Sequence, residues 1–365
     1  MRLRFRTFVW VVLLLGVLIL VVWGAKNNPE WHAFSWRLFL SYLVHVHPGY
    51  LLAGLGLTLS CYFIRALRWR EFLFPVKKAS LGNLLSAVLV GFAAVTLLGR
   101  AGEFSRPFIL SKKENLPLSL SLTTVIVERL FDFSAILTLF LVNLAFFHLG
   151  TAVSPQNAAV FHFFSRASAL VLAILVAVTA FLFLFQMNAV RWIDFLIERM
   201  RLVPERFVVK MEQALKSFVE GLAFIAHARP LFFSFFYSML LWLTATAGIY
   251  CIVRGFRVPF SFSMGIVLLT FSAIGAIVQL PGVGGGYQAL ILFSLVSFLG
   301  VNPTVASGIT LVAWVIAFLP VALIGLIELL RGGWSLTSLA REAEKEAASA
   351  LAQPLPALGK HRSEA

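Results

Sequence analysis

The sequence predicts an all-α polytopic membrane protein with about six full spans and two oppositely oriented re-entrant hairpins. Composition is the first reason: 60% of the 365 residues are hydrophobic and 13% are charged, against about 45–50% and about 25% in an ordinary globular chain. Run length is the second. Residues 7–24 and 167–187 contain no Asp, Glu, Lys or Arg, and about 20 apolar residues cross the hydrocarbon core as a helix. Charge is the third. A formal net charge of +14 on such a chain reports topology and anionic lipid rather than nucleic acid. Cys61 and Cys251 both lie in apolar stretches, which argues against a disulfide or zinc framework. No cofactor or metal site is expected.

Span 7–24 follows Arg2, Arg4 and Arg6, so the N-terminus is expected in the cytoplasm. A basic start before an apolar run also looks like a signal peptide, but the run is long and its cleavage pattern poor, which favours an uncleaved span. Residues 31–46, rich in aromatic side chains, suit a helix lying in the outer interface. Span 48–67 then returns to a basic stretch with Arg65, Arg68, Arg70, Lys77 and Lys78.

Residues 81–98 are apolar and are followed by Arg100, Arg106, Lys112 and Lys113. Were 81–98 an ordinary span, parity would export these charges and the later basic run from Arg191 to Arg229, against the positive-inside rule. A hairpin that enters from the cytoplasm and turns near residues 99–102 avoids this. Glycines and charges at such a turn are tolerated only where protein or water surrounds them. Residues 119–149 go out and 167–187 come back. Residues 205–228 form an amphipathic cytoplasmic helix, with Phe207, Met211, Leu215, Phe218, Leu222 and Ile225 three or four apart and a Glu212–Lys216 pair on the polar side. Residues 231–253 cross outward. The run 262–280 meets a Pro- and Gly-rich turn at 281–286, and 289–299 is too short to span comfortably, so a second hairpin entering from outside is expected. Residues 305–330 return the chain to the cytoplasm.

One transmembrane domain is thus expected over residues 1–331, with halves 1–150 and 151–331 related as an inverted repeat. Residues 332–365 are expected to be a disordered cytoplasmic tail. Of 30 Lys and Arg residues, only Lys26, Arg37, Arg166, Arg254 and Arg257 fall outside in this arrangement. Inverted repeats with paired broken helices are a transporter signature.

Arg100, Glu103, Arg106, Glu128, Arg129 and Asp132 fall near or inside the membrane. Unpaired at the bilayer centre, six charges would cost about 15–20 kcal/mol at roughly 2.5–3.5 kcal/mol each. They must pair or face a wet cavity. Glu128 and Asp132 share a helix face, Arg129 can pair with Asp132, and Glu128 is left for Arg100 or Arg106. The cluster either locks hairpin to helix or forms a cavity in which arginines hold a phosphate. Arg65 and Arg68 either anchor the inner end of their span or capture phosphate at a lipid entry portal. The turn containing Gly284 and Gly285 is either a flexible loop or a source of free backbone N–H groups for an anion, with Tyr287 and Gln288 beside it as uncharged hydrogen-bonding groups.

Four motifs in this order carry a family resemblance: Arg65-Ala66-Leu67-Arg68-Trp69-Arg70, Arg100-Ala101-Gly102-Glu103 with Arg106, Glu128-Arg129-Leu130-Phe131-Asp132, and the late Pro-Gly-rich turn. They resemble the lysylphosphatidylglycerol synthase transmembrane region, the flippase-like family of bacterial and archaeal membrane proteins, over about residues 5–330. The resemblance implies an inner-membrane protein associated with lipid translocation. In two places the chain departs from the family pattern: Leu98 stands where a Pro is usual, and Tyr287-Gln288 stand where an Arg-Glu or similar pair is usual. A second-hairpin carboxylate acting on a cationic headgroup is therefore in doubt, and without a soluble synthase domain lysyl transfer is not expected.

The expected function is translocation of a phosphate-bearing lipid headgroup, with both termini cytoplasmic. Expected partners are membrane lipids of the anionic phospholipid or polyprenyl-phosphate type, with a lipid-synthesis enzyme as a further candidate. Two alternatives stand beside this: a polyprenyl-phosphate glycosyltransferase-related enzyme, although no Asp-x-Asp occurs, and a non-transporting scaffold for lipid or envelope synthesis.

Overall fold

The computed structural model describes residues 35–147, 158–188, 191, 211–212, 215–216, 218–277, 279–280 and 284–332. The expected span 7–24, most of the expected helix 205–228 and nearly all of the tail lie outside the described residues. Within them, every regular element is helical except one two-residue β pair. The protein is a multi-pass integral membrane protein.

Helix α1 (Trp36–Val44) starts where the Ser35 hydroxyl accepts the Leu38 amide, 3.4 Å away. It buries no residue and exposes Trp36, Leu38, Leu40 and Val44, as a helix lying at an interface would. Helix α2 (Pro48–Leu73) opens with Pro48, where a missing N–H costs nothing. It pairs antiparallel with α7 (Ala228–Gly255) along its length. Gly54 lies against Gly248 and Ile252, the Cys61 thiol reaches the Leu241 carbonyl at 3.8 Å, and Arg68 reaches Ser238.

The first hairpin is α3 (Leu81–Leu98), a 3-10 turn (Gly99–Phe104) and α4 (Ser105–Glu114). The two arms run back along one another. Gly102 sits so close to Ala94 that any Cβ there would strike the Ala94 carbonyl group. At the open end Glu114 Oε1 accepts from the Ser80 amide (3.0 Å) and Asn83 Nδ2 (2.7 Å), and Lys113 Nζ donates to Ser86 Oγ (2.6 Å). Asn115, at φ 50°, ends α4 in the left-handed conformation that Asn tolerates.

Helix α5 (Leu118–Phe147) is 30 residues long, as is α6 (Ala158–Met187). The expected amphipathic helix does not run on to residue 228. The chain leaves the helix at residue 222 and makes a 3-10 turn (Ala223–Ala226). Leu222, Phe224 and Ile225 are all buried there, Phe224 against Phe72 at 4.6 Å and Phe131 at 5.8 Å between ring centroids. A regular helix could not turn all three inward, and burial of about 2 kcal/mol per side chain outweighs the lost helical bonds. The Glu212–Lys216 pair is present at 2.7 Å.

The second hairpin is α8 (Phe262–Gly275), the pair β1 (Gln279–Leu280) and β2 (Gly284–Gly285), and α9 (Gly286–Phe293) with a π-helical extension over Ser294–Phe298. Ser261 caps α8 by accepting the Met264 amide at 3.2 Å. A Cβ on Gly275 would strike the Gly286 carbonyl, so close approach of the arms requires glycine here. Helix α10 (Pro303–Arg331) follows, with Asn302 as its cap and Pro303 in its first turn.

Among the described residues, four helices are long and apolar enough to cross a membrane: α2, residues 166–187 of α6, α7 and α10. Helix α5 is equally long, about 45 Å at 1.5 Å per residue, but Glu128, Arg129 and Asp132 interrupt its apolar run. The first arm of the first hairpin and both arms of the second are shorter apolar helices. Helix α10 packs on α3 of the first hairpin and α5 on α8 of the second, while β1 rests against the 3-10 turn, so the two hairpin tips meet. The two largest of the four buried apolar clusters among the described residues surround the hairpins. One surrounds the first hairpin with Trp69, Phe72, Leu84 and Phe108; the other surrounds the second with Ile252, Leu268, Ile291 and Ile309.

Candidate functional site

Four helices bring charge together between the clusters. On α2, Arg65 and Arg68 are one turn apart; on α5, Glu128 and Asp132 are likewise. Arg106 leaves the first turn of α4, and α7 contributes Ser238 and Trp242 from one face.

Glu128 Oε1 receives Arg68 Nη2 at 2.7 Å and Arg65 Nη1 at 3.3 Å, while Oε2 lies 2.7 Å from Arg106 Nη2. Asp132 Oδ1 receives Arg68 Nη1 at 2.7 Å and Trp242 Nε1 at 3.2 Å; Oδ2 receives Arg65 Nη1 at 3.2 Å. Arg129 stands 3.6 Å from both carboxylates. Arg68 and Glu128 are fully buried, and Arg68 also donates to Ser238 Oγ at 2.9 Å. Aromatic faces shield the guanidiniums. Arg106 lies 4.1 Å above the Trp69 ring and Arg65 5.2 Å above Phe92. Trp69 is held in place by its Nε1–H bond to Thr124 Oγ1 at 2.9 Å.

Within this cluster four guanidiniums face two carboxylates, a formal excess of two positive charges. Asp132 is hydrogen-bonded through both oxygens and Glu128 through Oε1, while Glu128 Oε2 meets Arg106 only as an ion pair. Arg106 is 4% exposed, yet its Nε and Nη1 meet no protein acceptor. Each buried unsatisfied donor costs about 1–3 kcal/mol, and more when charged.

A cavity of about 580 Å³ opens beside the cluster, between the hairpins. Arg65, Glu103, Arg106, Arg129 and Asp132 line one side; Leu269, Ser272, Ala276, Ile277 and Tyr287 of the second hairpin line the other.

Arg65, Arg106, Glu128, Arg129 and Asp132 therefore converge: Arg129 meets Asp132 as the i,i+3 spacing predicts, and of the two arginines left open for Glu128, Arg106 pairs with it. Arg68 stands neither at an open portal nor at a surface anchor. Both carboxylates clamp it in the interior, because a guanidinium that deep needs paired acceptors. The Arg100 side chain lies outside the described residues; its backbone is in the 3-10 turn. Gly284 and Gly285 pair with Leu280 and Gln279 in the β ladder, so the flanks of that turn are not an open loop of free N–H groups. Tyr287 lines the cavity and packs edge-on against Phe318 at 5.1 Å. Gln288 and Gly285 are not among its lining residues. Sequence reasoning missed Trp69, Trp242 and Ser238. The only available signal was their presence on faces shared with arginines or serines one turn away.

Residues 8–325 match the family described as the lysylphosphatidylglycerol synthase TM region. The chain belongs to this family. No curated protein and no solved structure matches it significantly. The matched segment of this synthase-TM-region protein contains both hairpins, all six members of the arginine–carboxylate cluster and the cavity.

Proposed function

We propose that the protein translocates a phosphate-bearing lipid headgroup across the inner membrane, between the two hairpins, while the apolar tails stay in lipid. The observation that carries this is Arg106: buried, lining the cavity, and with two N–H groups that no protein acceptor satisfies. A phosphate oxygen supplies that acceptor with a charge-assisted bond. Arg65 and Arg129 add positive charge from the same wall, while Glu128 and Asp132 keep the cluster from being prohibitively charged without lipid. The roles of Arg100 and Glu103 at the hairpin turn belong to the same reading, as holder and gate. No catalysis is proposed.

The re-entrant, inverted-repeat reading is supported by reciprocal packing. Helix α2 pairs antiparallel with α7, α10 packs on the first hairpin, and α5 packs on the second. Two inverted halves would exchange contacts in this way, with the site between broken helices. Both termini are then cytoplasmic. Cysteines introduced at exposed Lys112 and Pro259 should label from the inside and the outside respectively; the reverse result sinks the orientation.

The decisive measurement is headgroup flipping of labelled phosphatidylglycerol in phosphatidylcholine proteoliposomes. Arg106→Gln should lower the rate by about tenfold or more, since it removes a transition-specific charged contact, while Arg106→Lys keeps part of it. Thermal unfolding checks that each variant is folded. Wild-type flipping by folded Arg106→Gln would overturn the proposal.

A further inference from the structure

Resting on that reading, we infer that the site takes a phosphate lipid whose headgroup carries no positive charge of its own, such as a glycerol or sugar headgroup, and discriminates against aminoacylated ones. The reason is how acceptors are used. A carboxylate has about four lone-pair sites. Asp132, which lines the cavity, accepts from Arg68, Trp242 and Arg65 and has Arg129 at 3.6 Å as a further countercharge. Glu128 is buried and ion-paired with four arginines, two of which donate to its Oε1. Glu103 has an interaction of its own, so an incoming ammonium would have to compete with arginines for Asp132 and with the existing partner of Glu103 on this wall.

The facing wall offers none. The second-hairpin residues on the cavity are Leu269, Ser272, Ala273, Ala276, Ile277 and Tyr287, all uncharged. Ser272 already donates its hydroxyl to the Leu269 carbonyl at 2.7 Å. Tyr287 is different: it presents a phenol and a ring braced by Phe318, groups that bind polyol hydroxyls and sugar faces without needing charge. One side therefore recognises the phosphate and the other a neutral polar headgroup. An ammonium placed in the same cavity would face Arg65, Arg106 and Arg129 against Asp132 and Glu103, a lining that stays net positive.

The test uses the full chain in phosphatidylcholine nanodiscs, with intrinsic tryptophan fluorescence reporting from Trp69 and Trp242 beside the arginines. Short-chain phosphatidylglycerol, its lysyl ester and inorganic phosphate are each titrated. Phosphatidylglycerol should bind saturably, with the lysyl ester and inorganic phosphate each about tenfold or more weaker, because like charge repels the former and the latter lacks the headgroup and apolar contacts. Lysyl ester binding as tight as the parent lipid overturns the inference but leaves phosphate-lipid recognition standing. Inorganic phosphate matching the lipid would show a free-anion site and overturn the lipid assignment. Saturable binding of none of the three would overturn the proposed function as well.

Discussion

The two hairpins have the same plan and opposite chemistry. Each joins two packed arms through a glycine-containing turn, and each packs against a long helix from the other half of the chain. The first is fastened by charge: Arg106 to Glu128 on α5, and Glu114 to the start of α3. The second is fastened by close approach and apolar contact, with Gly275 on Gly286 and Phe271 on Phe298 at 5.0 Å between ring centroids. Charge fixes direction and demands complete pairing, whereas apolar contact is indifferent to small displacements. The first hairpin thus gives the cavity a charged wall and the second an uncharged one, the contrast on which the proposed headgroup recognition rests.

If charge fastens the first hairpin, removing one shared carboxylate should unfold much of it. Glu128→Gln leaves Arg68 and Arg106 in the interior without their countercharge, and breaking a buried pair in this way costs about 3–5 kcal/mol. The expected outcome is a large drop in the thermal unfolding midpoint in detergent. A near-unchanged midpoint would mean that packing, not charge, holds this hairpin.

The corresponding insult to the second hairpin is steric. Gly275→Ala drives a methyl group into the Gly286 carbonyl, and overpacking of this kind costs about 1–3 kcal/mol. The midpoint should fall, but by less than in Glu128→Gln. An equal or larger fall would reverse the contrast between the hairpins.

The smallest effect is expected far from both. Lys216→Ala removes a solvent-exposed i,i+4 partner of Glu212, worth about 0.2–0.5 kcal/mol. Its midpoint and flipping rate should match wild type; a measurable loss of flipping would extend the functional surface to this exposed segment.

Much of this was readable in the chain. Helix positions, both hairpins and the glycine turns follow from apolar runs broken at residues 99–102 and 281–286. The pairing of Arg129 with Asp132 follows from i,i+3 spacing, whereas the need to neutralise Glu128 left Arg100 and Arg106 both open. The place of Arg68 does not follow. It lies at the end of an apolar run, where a positive-inside anchor and a buried ligand of two carboxylates have the same local pattern. The inward turn at Leu222, Phe224 and Ile225 is hidden for a similar reason: their spacing is compatible with helix, and only Phe72 and Phe131 on other elements make the tighter turn favourable.

By itself, then, the sequence determined an all-helical membrane protein, its breaks and the requirement that its intramembrane charges be paired. These are local or solvent-imposed properties: hydrocarbon accepts only helices whose backbone is satisfied and charges that are neutralised. Which charge pairs with which, and which is left over, was decided by the tertiary structure. Four helices distant in sequence meet at Glu128 and Asp132, and their geometry supplies four guanidiniums to two carboxylates. That surplus, with Arg106 facing the cavity, is a property of the assembly and of no single segment.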